Sequence, residues 1–263
     1  MAFFQGTFGK IFYQVEGEGF PLLFVHGLGS SHKTWFRQIP FFRNKYQTIV
    51  LDLAGSGKSA TPDDSVTMEK LSEDIVLLID HLKLTRLAMV GSSMGGMLAQ
   101  LCLKIIPEKI TATVLGSTSP GGHPHLSKIL RPLLYSHKSA AQRIRETLPL
   151  LFSDTFLKSE KEILGEYLKA TQAASPKLDC LKMIVRAFLK TEKFSKKSLY
   201  EGPVSILVGD ADPVTPPDMA EEVKGLFANS RLHLIAEAKH LVHIEKAPVF
   251  NYIVQSFLEE FLE

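Results

Sequence analysis

Apolar and polar positions alternate at two places near the start of the chain, Phe3 to Gln5 and Lys10 to Val15. With Gly6 and Gly9 near the turn, they predict an antiparallel hairpin. Glu16-Gly17-Glu18-Gly19 marks a second turn, and beyond it the pattern changes. Pro21-Leu22-Leu23-Phe24-Val25 is a continuous apolar run, the pattern of a strand covered on both faces. Gln47 to Leu53 predicts another buried strand. Leu87 to Val90, Thr111 to Leu115, Val204 to Val208 and Arg231 to Ile235 predict four more. Helical periods separate them. Met68 to Leu82 carries Leu71, Ile75, Leu78 and Leu82 on one stripe. Met97 to Leu103 reads as a buried helix. Trp35 to Phe42, Asp218 to Phe227 and Pro248 to Leu262 complete the set.

Strand–helix alternation predicts an α/β fold, a mostly parallel sheet of eight strands with helices on both faces. Ligands in such sheets bind at the carboxyl ends of the strands. The loops at His26, Asp52 and Ser93 all fall there. The alternation breaks once. Ser117 to Pro124 is small and rich in glycine and proline, and from about Ser127 to Ser198 only helical patterns follow: Ala140 to Leu151, Ser159 to Ala170, Leu178 to Leu189. That length exceeds an ordinary crossover and predicts an inserted all-helical cap. The expected division is a core of residues 1–120 and 199–263, with 121–198 as the cap.

Composition narrows the picture modestly. The 263 residues suffice for a large core, and 45% hydrophobic against 22% charged is an ordinary globular balance. A net charge of +2 is too small a bias to predict nucleic-acid or anionic-membrane partners. No run approaches the ~18 apolar residues of a membrane span. The N-terminus lacks a basic, then apolar, leader, so a cytoplasmic protein is the expectation. Cys102 and Cys180 lie far apart in apolar helical patterns and read as buried thiols. Trp35 reads as core packing. His123 and His125 have metal-like spacing but no third ligand, and are expected on the surface.

The chemistry centres on Gly91-Ser92-Ser93-Met94-Gly95, a G-x-S-x-G between a strand and a helix. A serine at the tip of such a turn adopts a left-handed backbone, and glycines two residues either side remove the collisions. Ser92 would need glycines at 90 and 94, which are Val90 and Met94; Ser93 is therefore the candidate nucleophile. A serine hydroxyl needs a base, and the base an orienting carboxylate. After the last two strands stand two acids, Asp210 and Asp212, and two histidines, His240 and His243. Two other signals fail. Gly57-Lys58-Ser59 lacks the first glycine of a phosphate loop, and Gly27-x-Gly29 lacks the third glycine of a dinucleotide loop. No cofactor or metal is implied.

Four separated motifs resemble those of α/β-hydrolase-fold serine hydrolases, and the resemblance spans nearly the whole chain outside the cap. His26-Gly27-Leu28 is similar to the family's H-G-x oxyanion loop. Asp52-x-x-Gly55-x-Gly57-x-Ser59 is similar to its D-x-x-G-x-G-x-S loop. Ser93-Met94-Gly95-Gly96 resembles the elbow of many esterases and of carbon–carbon hydrolases. Gly209-x-x-Asp212-x-x-x-Pro216 and His240-x-x-x-x-Glu245 resemble the acid and base segments.

The resemblance implies a Ser93–His240–Asp212 triad in the family's chain order. Asp210 is then a loop or solvated carboxylate, and His243 has no proton-transfer role. It implies an oxyanion hole of the Leu28 and Met94 backbone N–H groups, with His26 a structural loop residue and Asp52 a turn-stabilising carboxylate. One departure is Lys239, where the family usually has glycine; bulk and charge are expected near the site. The activity implied is esterase, a carboxylic ester hydrolase acting on small to medium hydrophobic esters, as a monomer or homodimer. Carbon–carbon hydrolysis of ring-cleavage products is an alternative, weakened because Leu28-Gly29-Ser30 stands where those enzymes carry Gly-Pro-Gly. Perhydrolase activity and a hydrolase-derived small-molecule receptor are the others.

Overall fold

The computed structural model describes residues 2–174, 176–194 and 200–262. One eight-stranded sheet runs through the molecule in the order β1-β2-β4-β3-β5-β6-β7-β8. β1 (Ala2–Gly6) and β2 (Gly9–Glu16) form the expected antiparallel hairpin, and β2 pairs antiparallel with β4 (Tyr46–Leu51). β3 (Phe20–Val25), β4, β5 (Leu87–Ser92), β6 (Ile110–Gly116), β7 (Val204–Gly209) and β8 (Ser230–Ile235) are parallel. Register brings their carboxyl ends level: Val25 faces Gly91, Ser92 faces Gly116, Gly116 faces Leu207, and Gly209 faces Ile235. The loops after these strands therefore open on one rim.

Side-chain alternation splits the core into two layers. Leu23, Val25, Met89 and Ile206 go to one face, against α2 (Met68–His81), α3 (Met94–Ile105) and α9 (Pro217–Lys224). Leu22, Phe24, Ala88 and Leu207 go to the other, against Trp35, Phe42 and α11 (Ala247–Phe261). Trp35 is fully buried and its ring sits 5.1 Å from that of Phe24, the packing role expected. Full burial of each such aromatic contributes about 1.5–3 kcal/mol of hydrophobic stabilisation.

Three elements differ from their expected bounds. The Trp35–Phe42 helix is two pieces, a 3-10 turn at His32–Trp35 and α1 (Ile39–Phe42). Pro40 has no N–H and is tolerated only in a first helical turn, so the helix restarts around it. The elbow helix begins at Met94, not Met97. Gly95 and Gly96 belong to the helix, and only glycine fits at 95 because a Cβ there would lie 2.1 Å from the Val25 carbonyl oxygen. The Ser159–Ala170 helix is instead α6 (Asp154–Ser159) followed by α7 (Lys161–Ala174).

Between β6 and β7 the described chain is helical, as the pattern predicts: α4 (Pro124–Leu134), α5 (Ala140–Leu151), α6, α7 and α8 (Leu178–Lys190). Ser139 and Gln142 form a capping box that starts α5, and Ser153 caps α6. The expected boundary at 198 lies outside the described residues. Cys102 and Cys180 are buried free thiols. Among the described residues no helix is long and apolar enough to cross a membrane.

Candidate active site

The elbow is built by close backbone approach. Ser93 has φ 55° and ψ −122°, outside the ordinary helical and strand regions. Such a conformation costs on the order of 1–3 kcal/mol and persists only when the surroundings enforce it. Here they do. The Ser93 N–H donates to the Gly116 carbonyl at 2.9 Å, and Thr118 Oγ1 donates to the Ser93 carbonyl at 2.7 Å. A Cβ on Gly91 would meet the Gly95 carbonyl oxygen at 2.5 Å, and one on Gly27 would lie 3.1 Å from the Ser93 Cβ. Glycine at these places lets strand, helix and the Gly27-Leu28 loop converge on Ser93.

His240 and Asp212 arrive from the loops after β8 and β7. His240 Nε2 lies 3.0 Å from Ser93 Oγ, and His240 Nδ1 lies 2.9 Å from Asp212 Oδ2. An ionised carboxylate only accepts, so Nδ1 carries the proton and Nε2 is free to accept from the serine hydroxyl. Asp212 is nearly fully buried, which opposes its ionisation, but the adjacent His240 and the Thr215 donors outweigh that and hold its carboxyl below the usual range. The donors are the Val214 N–H at 2.8 Å, the Thr215 N–H at 3.0 Å and the Thr215 hydroxyl at 2.7 Å. Asp210, by contrast, is exposed.

The second histidine is placed differently. His243 is fully buried, its ring tilted at 40° against Trp35 with centroids 4.6 Å apart, with Ser92 Oγ 3.4 Å from Nδ1 and Thr34 Oγ1 3.3 Å from Nε2. Burial, with His240 nearby, pushes its imidazole down to about 3. His26 accepts the Leu53 N–H on Nε2 at 3.0 Å and donates from Nδ1 to the Gly27 carbonyl at 2.8 Å. That ties the Gly27 loop to the end of β4. Asp52 accepts the N–H groups of His32 (2.8 Å) and Lys58 (2.9 Å), the turn-stabilising role expected.

A sequence model of the alpha/beta hydrolase fold family matches residues 21–247, most of the chain, with Ser93, Asp212 and His240 inside the match. The chain belongs to this family. Among curated relatives, 3-oxoadipate enol-lactonase 2 of Acinetobacter baylyi is 25% identical over 91% of this chain and 89% of its own. The 2-hydroxy-6-oxo-6-(2'-aminophenyl)hexa-2,4-dienoic acid hydrolase of Metapseudomonas resinovorans is 26% identical over 94% and 86%. Among solved structures, a thermophilic esterase from Thermogutta terrifontis superposes with a TM-score of 0.88 at 21% identity, covering 98% of each chain.

In this alpha/beta hydrolase a cavity of about 250 Å³ opens beside Ser93 and His240. Leu28 and Met94 border it. Ile129, Leu130, Leu133 and Ile144, from α4 and α5, supply apolar wall. Among the described residues no three His, Cys, Asp or Glu side chains group to hold a metal.

Two expectations are corrected. Lys239 does not crowd the cavity: its ammonium donates to the Pro149 carbonyl at 2.8 Å, at the end of α5. His123 and His125 are half-buried rather than superficial. His123 accepts the His125 N–H to cap α4, and His125 Nε2 donates to the Pro213 carbonyl at 2.9 Å, beside Asp212. Their proximity to a loop ninety residues on carries no local sequence signal. Sequence reasoning also missed Thr215. Its signal was present, since a hydroxyl three residues after an Asp can bond back to it. Glu245 was read only as a motif position. It accepts the Ser153 and Lys239 N–H groups, each at 2.9 Å, and the Leu241 N–H donates to Leu151 at 3.1 Å. The His240 loop is thereby joined to α5 and α6.

Proposed function

We propose that this protein is a carboxylic ester hydrolase working through an acyl-enzyme on Ser93. The observation that carries the reading is the continuous chain Ser93 Oγ–His240–Asp212, at 3.0 and 2.9 Å, on the wall of an apolar cavity. Ser93 Oγ attacks the ester carbonyl as His240 Nε2 takes its proton. Asp212, already ionised, holds the imidazole tautomer and stabilises the imidazolium. The Leu28 and Met94 N–H groups receive the oxyanion. His240 returns the proton to the departing alkoxide. It then takes a proton from water, whose oxygen attacks the acyl carbon, and gives that proton to Ser93 Oγ as the acyl–oxygen bond breaks and the acid leaves. His243, held neutral, leaves His240 as the single proton carrier.

In the same reading residues 121–198 are a cap over a core of 1–120 and 199–263, and α4, α5, α7 and α8 roof the acyl site. The enol-lactonase relative acts, by its name, on an enol lactone, which is a cyclic ester, and this fits the reading. A fluorophosphonate probe tests it. Wild type and Ser92→Ala are expected to label, Ser93→Ala and His240→Ala not. Labelling of Ser93→Ala overturns the assignment. A p-nitrophenyl ester chain-length series run beside a ring-cleavage dienoate then separates ester from carbon–carbon hydrolysis.

A further inference from the structure

The cavity beside Ser93 holds one charge that the triad does not use. Arg143, on α5, lines it and is only 8% exposed. Its Nη1 donates to the Lys138 carbonyl at 2.7 Å and its Nη2 to the Pro176 carbonyl at 3.5 Å. Both acceptors are neutral. A guanidinium carries five N–H donors, so three are left over. Among the described residues no carboxylate oxygen comes within 4.0 Å of it. Among the described residues no Asp or Glu lines the cavity. Buried cations are normally matched by an anion, because removal from water penalises the charged form. This one has no counter-charge among the described residues, and it lies on the wall of the cavity beside Ser93.

A second observation is independent of that contact. Residues 121–198 hold 15 Lys and Arg against 7 Asp and Glu, a net +8, while the rest of the chain holds 15 against 21, a net −6. The near-neutral total conceals a strongly cationic segment, and that segment supplies the cavity wall away from the sheet. A field of this sign raises the local concentration of anions and speeds their arrival.

We propose that Arg143 is an anion-recognition point of this cavity, and that the substrate is an ester whose apolar chain also carries a carboxylate. The inference rests on the ester-hydrolase reading of Ser93 for what happens to that substrate, but not for its binding. A single planar guanidinium matches one carboxylate in a two-toothed contact, and one positive charge balances one negative. A phosphate dianion would remain half-neutralised in an apolar cavity. The apolar residues Leu130, Leu133 and Ile144 cover the chain between the two ends. Arg143 touches the far end of the substrate and acts on its selection, not on the proton transfers.

Two series of esters decide the matter, one with the carboxylate on the acyl side and one with it on the alcohol side. Each is compared with its chain-matched carboxamide. Wild type is expected to favour the carboxylate in kcat/KM in one series. That preference should fall by about 10- to 100-fold in Arg143→Gln, the loss typical of a charge-assisted hydrogen bond. Arg143→Lys keeps the charge and loses the fork, so an intermediate preference is expected. Raising ionic strength should reduce the carboxylate preference in wild type. Calorimetric binding of suberate against suberamide to wild type and Arg143→Lys gives a readout that needs no turnover. Equal preference for carboxylate and carboxamide in both series and in binding overturns the inference. So does a preference that survives both Arg143 substitutions. If suberate binds through Arg143 yet wild type neither labels with fluorophosphonate nor cleaves any ester, the ester-hydrolase reading fails and the anion site stands.

Discussion

Two serine–histidine pairs lie side by side in this molecule, and they share almost every local feature. Ser93 and Ser92 are consecutive; His240 and His243 are separated by about one helical turn. Ser93 meets His240 at 3.0 Å and Ser92 meets His243 at 3.4 Å. What differs is the third member. Behind His240 stands Asp212, ionised and held by three donors besides the imidazole. Behind His243 stand Thr34 and the Trp35 ring. A carboxylate stabilises an imidazolium; burial without a counter-charge penalises one. The first pair can take a proton in passing, and the second is locked neutral. A Ser–His contact is therefore not in itself a catalytic device. The partner on the far nitrogen decides.

Four substitutions and one titration break or sharpen that contrast. Ser93→Ala should remove ester turnover by about 10⁶-fold, as loss of a triad nucleophile does. Asp212→Asn should cost about 10⁴-fold, because the amide no longer enforces the tautomer. It makes the first pair resemble the second without moving the serine, so retained activity would show that the far partner does not matter. Thr215→Val removes one hydroxyl from the Asp212 carboxylate and should lower kcat/KM by about 10-fold, the scale of a hydrogen bond to a charged group. Steady-state kinetics on one p-nitrophenyl ester reads all three.

Stability against pH reads the second pair. The unfolded chain protonates His243 near its ordinary value of about 6.5, whereas the folded chain resists until about 3. Between those values the unfolded state binds more protons, so stability falls as pH drops through that window. Asp212 acts in the same direction only lower down. Its contribution is present above the unfolded carboxylate value of about 3.9 and is lost as pH falls through its depressed folded value. Urea midpoints between pH 7 and 5 should drop in wild type and less steeply in His243→Asn. Equal slopes would mean that His243 is not the group that resists. The smallest effect is expected of Ser92→Ala, under about 3-fold on turnover, since the bond it removes is long and serves no proton transfer.

The strands, the elbow and the choice of Ser93 were legible because their causes are local. Glycine at 91 is demanded by the backbone of Gly95 in the next turn of chain, and the period of apolar positions separates strand from helix. The order of acid and base was legible because each follows a strand end. The split of the Trp35–Phe42 segment was also written locally, in Pro40, and was overlooked. Other features were not legible. Arg143 reads as one more basic residue on a helix surface, and only the fold turns it inward. His125 and Lys239 read as superficial or intrusive, and both prove to be fasteners between segments ninety residues apart.

Those fasteners have a mechanical consequence. The loop that carries His240 is stitched to α5 and α6 through Lys239, Leu241 and Glu245, and the loop that carries Asp212 is stitched to α4 through His125. The helical segment cannot lift from the sheet as a free door, because it is tied to the loops that carry His240 and Asp212. Any opening wide enough to break these four stitches frees the loops of His240 and Asp212 together. On warming, ester turnover is therefore expected to be lost at a lower temperature than the circular dichroism of the sheet.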